Sequence, residues 1–185
     1  MKADEKELKS LKEVKQIVGK LGRMIKAPTS DLPTFGRSSG WARPHIAVDS
    51  MGYHYIVEER GQEIRHETTD DLDQLMFWIF EQVSFDISLR ESVAARQENL
   101  DDSRFFYVRQ EELLHKLKPG WAEVIHQKHA KILEEFPFDD FAYVRALYCK
   151  QLRESGLSEE EIDKIAFEKY PEPAPDPRPS ITSTA

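Results

Sequence analysis

The feature that most constrains the fold is a change of sequence period after residue 44. Residues 45–49, 53–60 and 62–68 are rich in β-branched and aromatic side chains, and Met51-Gly52 and Arg60-Gly61 separate them. Glycine accepts the positive φ that tight turns require. The three runs therefore predict an antiparallel meander of three strands joined by two hairpins.

Both turns predict the same buried face. If Met51-Gly52 and Arg60-Gly61 are two-residue turns, Val57 lies opposite both Ile46 and Ile64. Because side chains alternate along a strand, the apolar face then carries Ile46, Val48, Tyr55, Val57 and Ile64, with His66 at its edge. The opposite face is predicted to be solvated and carries His45, Asp49, His54, Glu58, Glu63, Arg65 and Glu67.

Helices are predicted on both sides of the meander. Apolar residues recur at three- and four-residue spacing over residues 5–26, and Pro28 ends that helix. Thr68 and Asp71 stand at capping-box spacing before a helix that is apolar nearly all round, with Trp78 in its core. Further helical patterns cover residues 102–117, 121–136, 141–154 and 158–169. The predicted class is α+β.

The chain length of 185 residues fits one domain, predicted over residues 1–170 with residues 141–169 as a helical extension. Five prolines fall within residues 171–179, and serines and threonines follow. This composition buries little apolar surface, so residues 171–185 are expected to form a disordered tail.

Charge and cysteine content narrow the class of protein. The formal net charge of −8 disfavours direct nucleic-acid binding and suits a basic protein partner. No run of 18 apolar residues and no secretory signal is present, so no membrane association is expected. The lone Cys149 fits a reducing compartment, and we expect a cytoplasmic protein.

No familiar catalytic or phosphate-binding motif occurs, and the pattern assigns no catalytic residue, cofactor site or metal ligand. One alternative stays open on the outer sheet face, where the predicted register pairs His45 with Glu58 and Asp49 with His54. Such a group could serve a small enzyme or metal protein, or it could stabilise the surface. His126 and His129, one helical turn apart, could share a metal too, but no third ligand is evident.

The loop between the first helix and the meander combines Phe35 and Trp41 with Arg37, Arg43 and flexible glycines. Aromatic and arginine anchors are typical of interface hot spots. The alternative is that Phe35 and Trp41 fold back onto the core.

The strands and the helix after them resemble a known family. The segments that carry the resemblance are residues 44–49, 52–63 and 71–81, with later support from Gln110, Leu113-Leu114, Trp121-Ala122 and residues 136–140. Over roughly residues 8–140 the chain resembles immunity-protein family sixty-three, which is associated with bacterial polymorphic toxin systems.

The resemblance implies a non-enzymatic protein that binds and neutralises a cognate toxin domain, and it carries over no catalytic residue. It identifies neither the toxin nor the contact surface. From charge and composition, the candidate partner-binding residues are Glu58, Glu63, Glu67, Phe35 and Trp41.

Overall fold

The computed structural model describes residues 8–94 and 103–173. In the described residues, six α-helices and four β-strands follow one another along the chain. They are α1 (Leu11–Met24), β1 (Thr34–Phe35), β2 (Pro44–Asp49), β3 (Gly52–Glu59), β4 (Gln62–Thr69), α2 (Leu72–Ala94), α3 (Ser103–Leu117), α4 (Pro119–Glu135), α5 (Ala142–Glu154) and α6 (Glu159–Lys169). The predicted α+β class is confirmed. None of the described helices is long and apolar enough to cross a membrane.

Helix α1 begins later than its apolar spacing predicts. Ser10 is the N-cap, and it forms a capping box with Glu13 that fixes the first turn at Leu11. Residues 8–10 are not helical, and residues 5–7 of the predicted helix lie outside the described part of the chain. Leu8 fits the apolar period, so the spacing predicted a helix that includes it, although the cap at Ser10 makes the helix begin at Leu11.

The sheet has the strand order β1-β2-β3-β4. The predicted antiparallel meander is β2 to β4, and the two-residue β1 adds a parallel edge, pairing Thr34 with His45 and Phe35 with Ile46. A strand this short in a proline-rich loop has no readable period, so the sequence did not predict it.

The first hairpin is displaced by one residue from the prediction. Asp49 pairs with Gly52, so Ser50-Met51 is the turn, and Ile46 faces Tyr55. Moving a turn by one residue shifts the pairing by two, so the side chains keep their faces. Gly52 is required at the start of β3 for another reason: a Cβ there would lie 2.5 Å from the Thr69 carbonyl oxygen.

The second hairpin has the predicted turn but also a β-bulge. Glu59 pairs with Gln62 around Arg60-Gly61, and both turn residues have positive φ, as a type I′ turn requires. Between Val57 and Glu58 the register then shifts by one residue, so that Ile64 is the extra residue in β4.

The bulge overturns part of the predicted face assignment. Beyond it, Arg65 pairs with Val57, Glu67 pairs with Tyr55, and His66 pairs with Ile56. Arg65 and Glu67 therefore lie on the core-facing side and His66 on the outer side, the reverse of the prediction. Ile64, predicted on the apolar face, is 57% exposed.

Helix α2 packs on the core-facing side of the sheet and against α3. Its cap is Asp71, whose carboxylate accepts a hydrogen bond from the Asp73 N–H, while the predicted cap Thr68 lies in β4. The buried core combines side chains from α1 to α4 and the sheet, including Val14, Val18, Ile46, Tyr53, Tyr55, Leu75, Ile79, Phe80, Leu113, Leu114, Trp121 and Ile125. Trp78 is only half-buried at the margin of this core.

The second half of α2 reverses the usual polarity of a surface helix. Ser84, Ser88 and Ser92 are buried one turn apart, whereas the apolar side chain that directly follows each serine is exposed: Phe85, Leu89 and Val93. Ser84 and Ser92 donate to backbone carbonyls one turn back, which satisfies these buried hydroxyls. Small inward side chains let α3 approach closely, and they explain the weak apolar period of this segment.

Helices α5 and α6 pack chiefly on each other. Arg145 is buried between them, pairs with Asp139 and donates to the Tyr170 carbonyl oxygen. Ser158 caps α6 with the predicted capping box. Of the predicted tail, residues 174–185 lie outside the described part of the chain.

Candidate functional site

Trp41 is the most exposed large apolar side chain of the described residues, at 95%. Trp41 and Ala42 both have positive φ, which costs free energy for residues other than glycine. The loop is nevertheless anchored, because Arg43 donates to the carbonyl oxygens of Leu32 and Thr29 and the Ala42 N–H donates to the Glu58 carbonyl. The fold thus holds an exposed indole on a fixed backbone.

A groove of about 730 Å³ opens beside Trp41, between the sheet and α2. Ile64 and Leu89 line it with exposed apolar surface, and Asp86 contributes a half-buried carboxylate. Burial raises the pKa of Asp86, and it raises the pKa of Tyr55, which also lines the groove, to about 12. The groove combines apolar walls with a few charged groups, as binding clefts for macromolecules or small ligands do.

The outward stripe of α2 extends this apolar surface. Phe85, Leu89 and Val93 are all exposed at four-residue spacing. Phe85 and Trp78 also line a second groove of about 470 Å³ against α3 and α4. Exposed apolar patches of this extent mark interaction surfaces.

Phe35 does not join this surface. It pairs with Ile46 in the sheet and packs against the core, with the Lys15 ammonium 5.9 Å from its ring centroid. Of the two aromatic residues predicted as partner contacts, only Trp41 is exposed to a partner.

The three acidic candidates separate into two groups. Glu58 and Glu63 are opposite each other on the outer face at the end of the sheet. Glu67 faces the other side and accepts a 2.9 Å hydrogen bond from Arg65. Like charges directly opposite one another destabilise a sheet. Glu63 is partly compensated by His66, whereas among the described residues Glu58 has no cation within ion-pair distance.

His45 is not part of a solvated outer face. It is 7% exposed and pairs with Ile56 rather than with Glu58. Its Nδ1 atom finds no hydrogen-bond partner among the described residues. The predicted pair of His45 and Glu58 is therefore wrong, because the first turn is one residue earlier than assumed.

Asp49 and His54 do meet, and they belong to a longer chain of contacts on the outer face. His54 Nε2 lies 2.9 Å from Asp49 Oδ1, and His54 Nδ1 lies 3.1 Å from His66 Nε2. His66 Nδ1 in turn lies 3.2 Å from Glu63 Oε1. The hydrogen bond from His54, together with one from the Met51 N–H, holds the pKa of Asp49 below its ordinary value.

The pair of histidines on α4 has a carboxylate partner from α3. Glu111 accepts from His126 Nδ1 at 3.0 Å and from His129 Nδ1 at 2.7 Å. Burial raises the pKa of Glu111, but the hydrogen bonds from His129 and then His126 outweigh burial, so the pKa lies below its ordinary value. His129 is buried, and Tyr107 stacks on its ring at 4.1 Å between centroids.

The second nitrogen of His129 is also engaged. Gln110 Nε2 donates to the Glu81 carbonyl oxygen, so its amide oxygen faces His129 Nε2 at 3.1 Å. Both ring nitrogens of His129 therefore face oxygen atoms, of Glu111 on one side and of Gln110 on the other, so both nitrogens of the buried ring are engaged. This arrangement stabilises the helix pair and leaves no nitrogen of His129 for a metal.

Sequence reasoning missed Glu111 and the role of His66. Glu111 and His126 lie at nearly equal distances on either side of the turn at Lys118, so folding α3 and α4 as a helical hairpin would have paired them. No sequence signal indicated the bulge that brings His66 to His54. Among the described residues, no group of three or more histidine, cysteine, aspartate or glutamate side chains is arranged to hold a metal ion.

Comparison with known proteins gives one match. No curated protein and no solved structure matches the chain significantly. The chain does match a family, but over a narrower range than the residues 8–140 that carried the sequence resemblance. The matched range spans the end of β2, β3, β4, α2, α3 and most of α4. Residues 49–131 of this chain are similar to the family described as Immunity protein 63.

Proposed function

We propose that the chain is an immunity protein that binds and neutralises a cognate toxin domain of a bacterial polymorphic toxin system in the cytoplasm. The family match over residues 49–131 carries the proposal. It favours a non-enzymatic role and a protein partner. Stoichiometric inhibition of this kind needs a binding surface and no catalytic group.

The surface around Trp41 supports binding to a protein. Its fixed, exposed indole lies beside a groove with apolar walls, and the loop is tied by its backbone to Glu58. Rigid aromatic anchors lose little entropy on binding and dominate interface energies. We therefore propose Trp41 as the anchor, with Glu58 and Glu63 as the charged rim, and we assign Phe35 and Glu67 no more than an indirect role.

The net charge of −8 supports a partner with a basic surface. Opposite charges steer two proteins together and raise the association rate at low salt. The proposal includes no direct contact with nucleic acid or membrane, because the acidic balance disfavours binding to phosphates. The alternative of a small enzyme built on His45, Glu58, Asp49 and His54 has less support. These residues do not line the two grooves described above, and His45 does not pair with Glu58.

The direct test is rescue of growth. Cells that produce a toxin domain encoded beside this chain should survive when the chain is co-produced, and the purified pair should form a stable complex. Trp41→Ala should weaken that complex by about 2 kcal/mol or more, measured by calorimetry. Met51→Ala is the matched control, since Met51 is 75% exposed at the opposite end of β2.

Charge reversal tests the rim. Glu58→Lys should slow association and flatten its salt dependence without lowering the thermal midpoint of the free protein, since it removes a like-charge pair with Glu63. If the toxin domain is neither bound nor neutralised, the proposed function is wrong. If the Trp41→Ala variant binds the toxin domain as tightly as the unaltered protein does, the proposed function stands and the contact surface lies elsewhere.

A further inference from the structure

The two histidines on the outer face present converging nitrogens. His54 lies on β3 directly opposite Thr68, and His66 lies two residues before Thr68 on β4. His54 Nδ1 is 3.1 Å from His66 Nε2 and 3.1 Å from Thr68 Oγ1. The two ring planes are inclined by 61°, so the rings meet at their edges and do not stack.

The carboxylates behind the rings determine which nitrogens carry hydrogen. Asp49 faces His54 Nε2, and Glu63 faces His66 Nδ1. An ionised carboxylate only accepts hydrogen bonds, so both of these nitrogens carry hydrogen when the contacts are made. In neutral rings, His54 Nδ1 and His66 Nε2 then direct lone pairs at each other, and the single Thr68 hydroxyl can donate to only one of them. Facing lone pairs repel each other, so a positive charge between the two nitrogens would stabilise the arrangement.

We propose that His54 Nδ1 and His66 Nε2 are two ligands of a transition-metal site for Zn²⁺ or Cu²⁺. Imidazole nitrogens suit these ions. With Zn–N bonds of about 2.0–2.1 Å, neighbouring ligands of a tetrahedral ion lie about 3.3–3.4 Å apart, close to the separation observed here. Ligating histidines characteristically donate their other N–H to a carboxylate, as both rings do here.

The protein supplies only part of the coordination shell. Thr68 Oγ1 is the nearest further oxygen, and Asp49 and Glu63 are occupied behind the rings. The His66 side chain is 37% exposed, so the remaining positions are open to water or to a donor group of a bound protein. A site with two protein ligands is consistent with the finding that the described residues hold no group of three such ligands. This inference does not depend on the proposed function.

The test is calorimetric titration of the full chain, purified without a histidine tag, with Zn²⁺ and with Cu²⁺. The unaltered protein should bind one equivalent and gain thermal stability, because a ligand that binds only the folded state stabilises it. His54→Ala and His66→Ala should each weaken binding at least about tenfold. His126→Ala is the matched control and should bind as the unaltered protein does.

A second variant separates ligation from a general effect on structure. Asp49→Asn keeps the shape of the side chain but removes its charge, and it should weaken binding by about 10–100-fold. The thermal midpoint measured without metal should stay unchanged. If neither ion binds, the charge between the rings is a proton and the proposal is wrong. It is equally wrong if binding survives in His54→Ala and His66→Ala or is lost in His126→Ala.

Discussion

The protein has two pairs of histidines, and the position of the carboxylates makes them different. On the outer sheet face, Asp49 and Glu63 lie behind His54 and His66, so the other two nitrogens converge. Between α3 and α4, one carboxylate lies between the rings and accepts from both. The same residue types thus build a place for a cation in one region and a closed ion pair in the other.

Burial reinforces the difference. The more buried ring of the inter-helix pair, His129, is 6% exposed and that of the outer pair, His54, is 12% exposed; the other rings, His126 and His66, are 26% and 37% exposed. A buried charge must be paired and fully hydrogen-bonded, and losing its partner leaves an uncompensated ion. We therefore expect the inter-helix pair to matter for stability and the outer pair to matter for ligand binding.

The largest expected effect comes from removing the carboxylate of the buried pair. Glu111→Ala removes the carboxylate that both His126 and His129 contact and should lower the free energy of unfolding by about 2–3 kcal/mol. Chemical denaturation measures this loss. The matched control is Asp49→Ala on the outer face, which should lower the denaturation midpoint less, because the Asp49 carboxylate is solvated and its hydrogen bonds are exposed to water.

Equal losses in Glu111→Ala and Asp49→Ala would show that the two pairs do not differ in the way we describe. A loss in neither would show that the contacts of Glu111 with His126 and His129 contribute little to stability.

A smaller effect on stability is expected when the pH is lowered. The pKa of Glu111 in the folded protein lies below its ordinary value of 4.5, so its ionised form is favoured by folding. The stability that it contributes is therefore present above pH 4.5 and is lost as pH falls through the lower folded value. Glu111→Gln should be less stable than the unaltered protein at neutral pH, and the difference should shrink as the pH falls below 4.5.

Thermal unfolding of both proteins across this pH range measures the gap. A constant gap from neutral to acid pH would show that the destabilisation by Glu111→Gln comes from packing and not from its charge.

The fold was predictable where local rules repeat. The meander followed from two glycine turns, and the face of Ile46 and Tyr55 survived an error in the first turn because the error moved the pairing by two residues. The bulge at Ile64 was not predictable, since a single extra residue changes no composition or period that the sequence displays. The same bulge reverses Glu67 and His66, so the faces predicted for these two residues were wrong for one physical reason.

The second half of α2 shows another limit. Hydrophobic periodicity assumes that large apolar residues lie inward, and here Ser88 is buried while Leu89 is exposed. Close packing of α2 on α3 selects for small side chains, a requirement that appears only when the neighbouring helix is known. The sequence left open whether Trp41 lies outward or inward, because this depends on a left-handed backbone that the sequence does not specify.

The smallest expected effect tests whether the Thr68 hydroxyl is a ligand of the metal proposed between the outer histidines. Thr68 Oγ1 lies 3.1 Å from His54 Nδ1, so it can donate to that nitrogen or stand beside a metal. Thr68→Val keeps the β-branched shape and removes the hydroxyl. If a metal binds both rings, its affinity should fall only a few-fold, about 1 kcal/mol at most, because the two imidazoles carry the bonding. Calorimetric titration measures this change, and a loss as large as that of His66→Ala would show that the hydroxyl, not the second ring, completes the site.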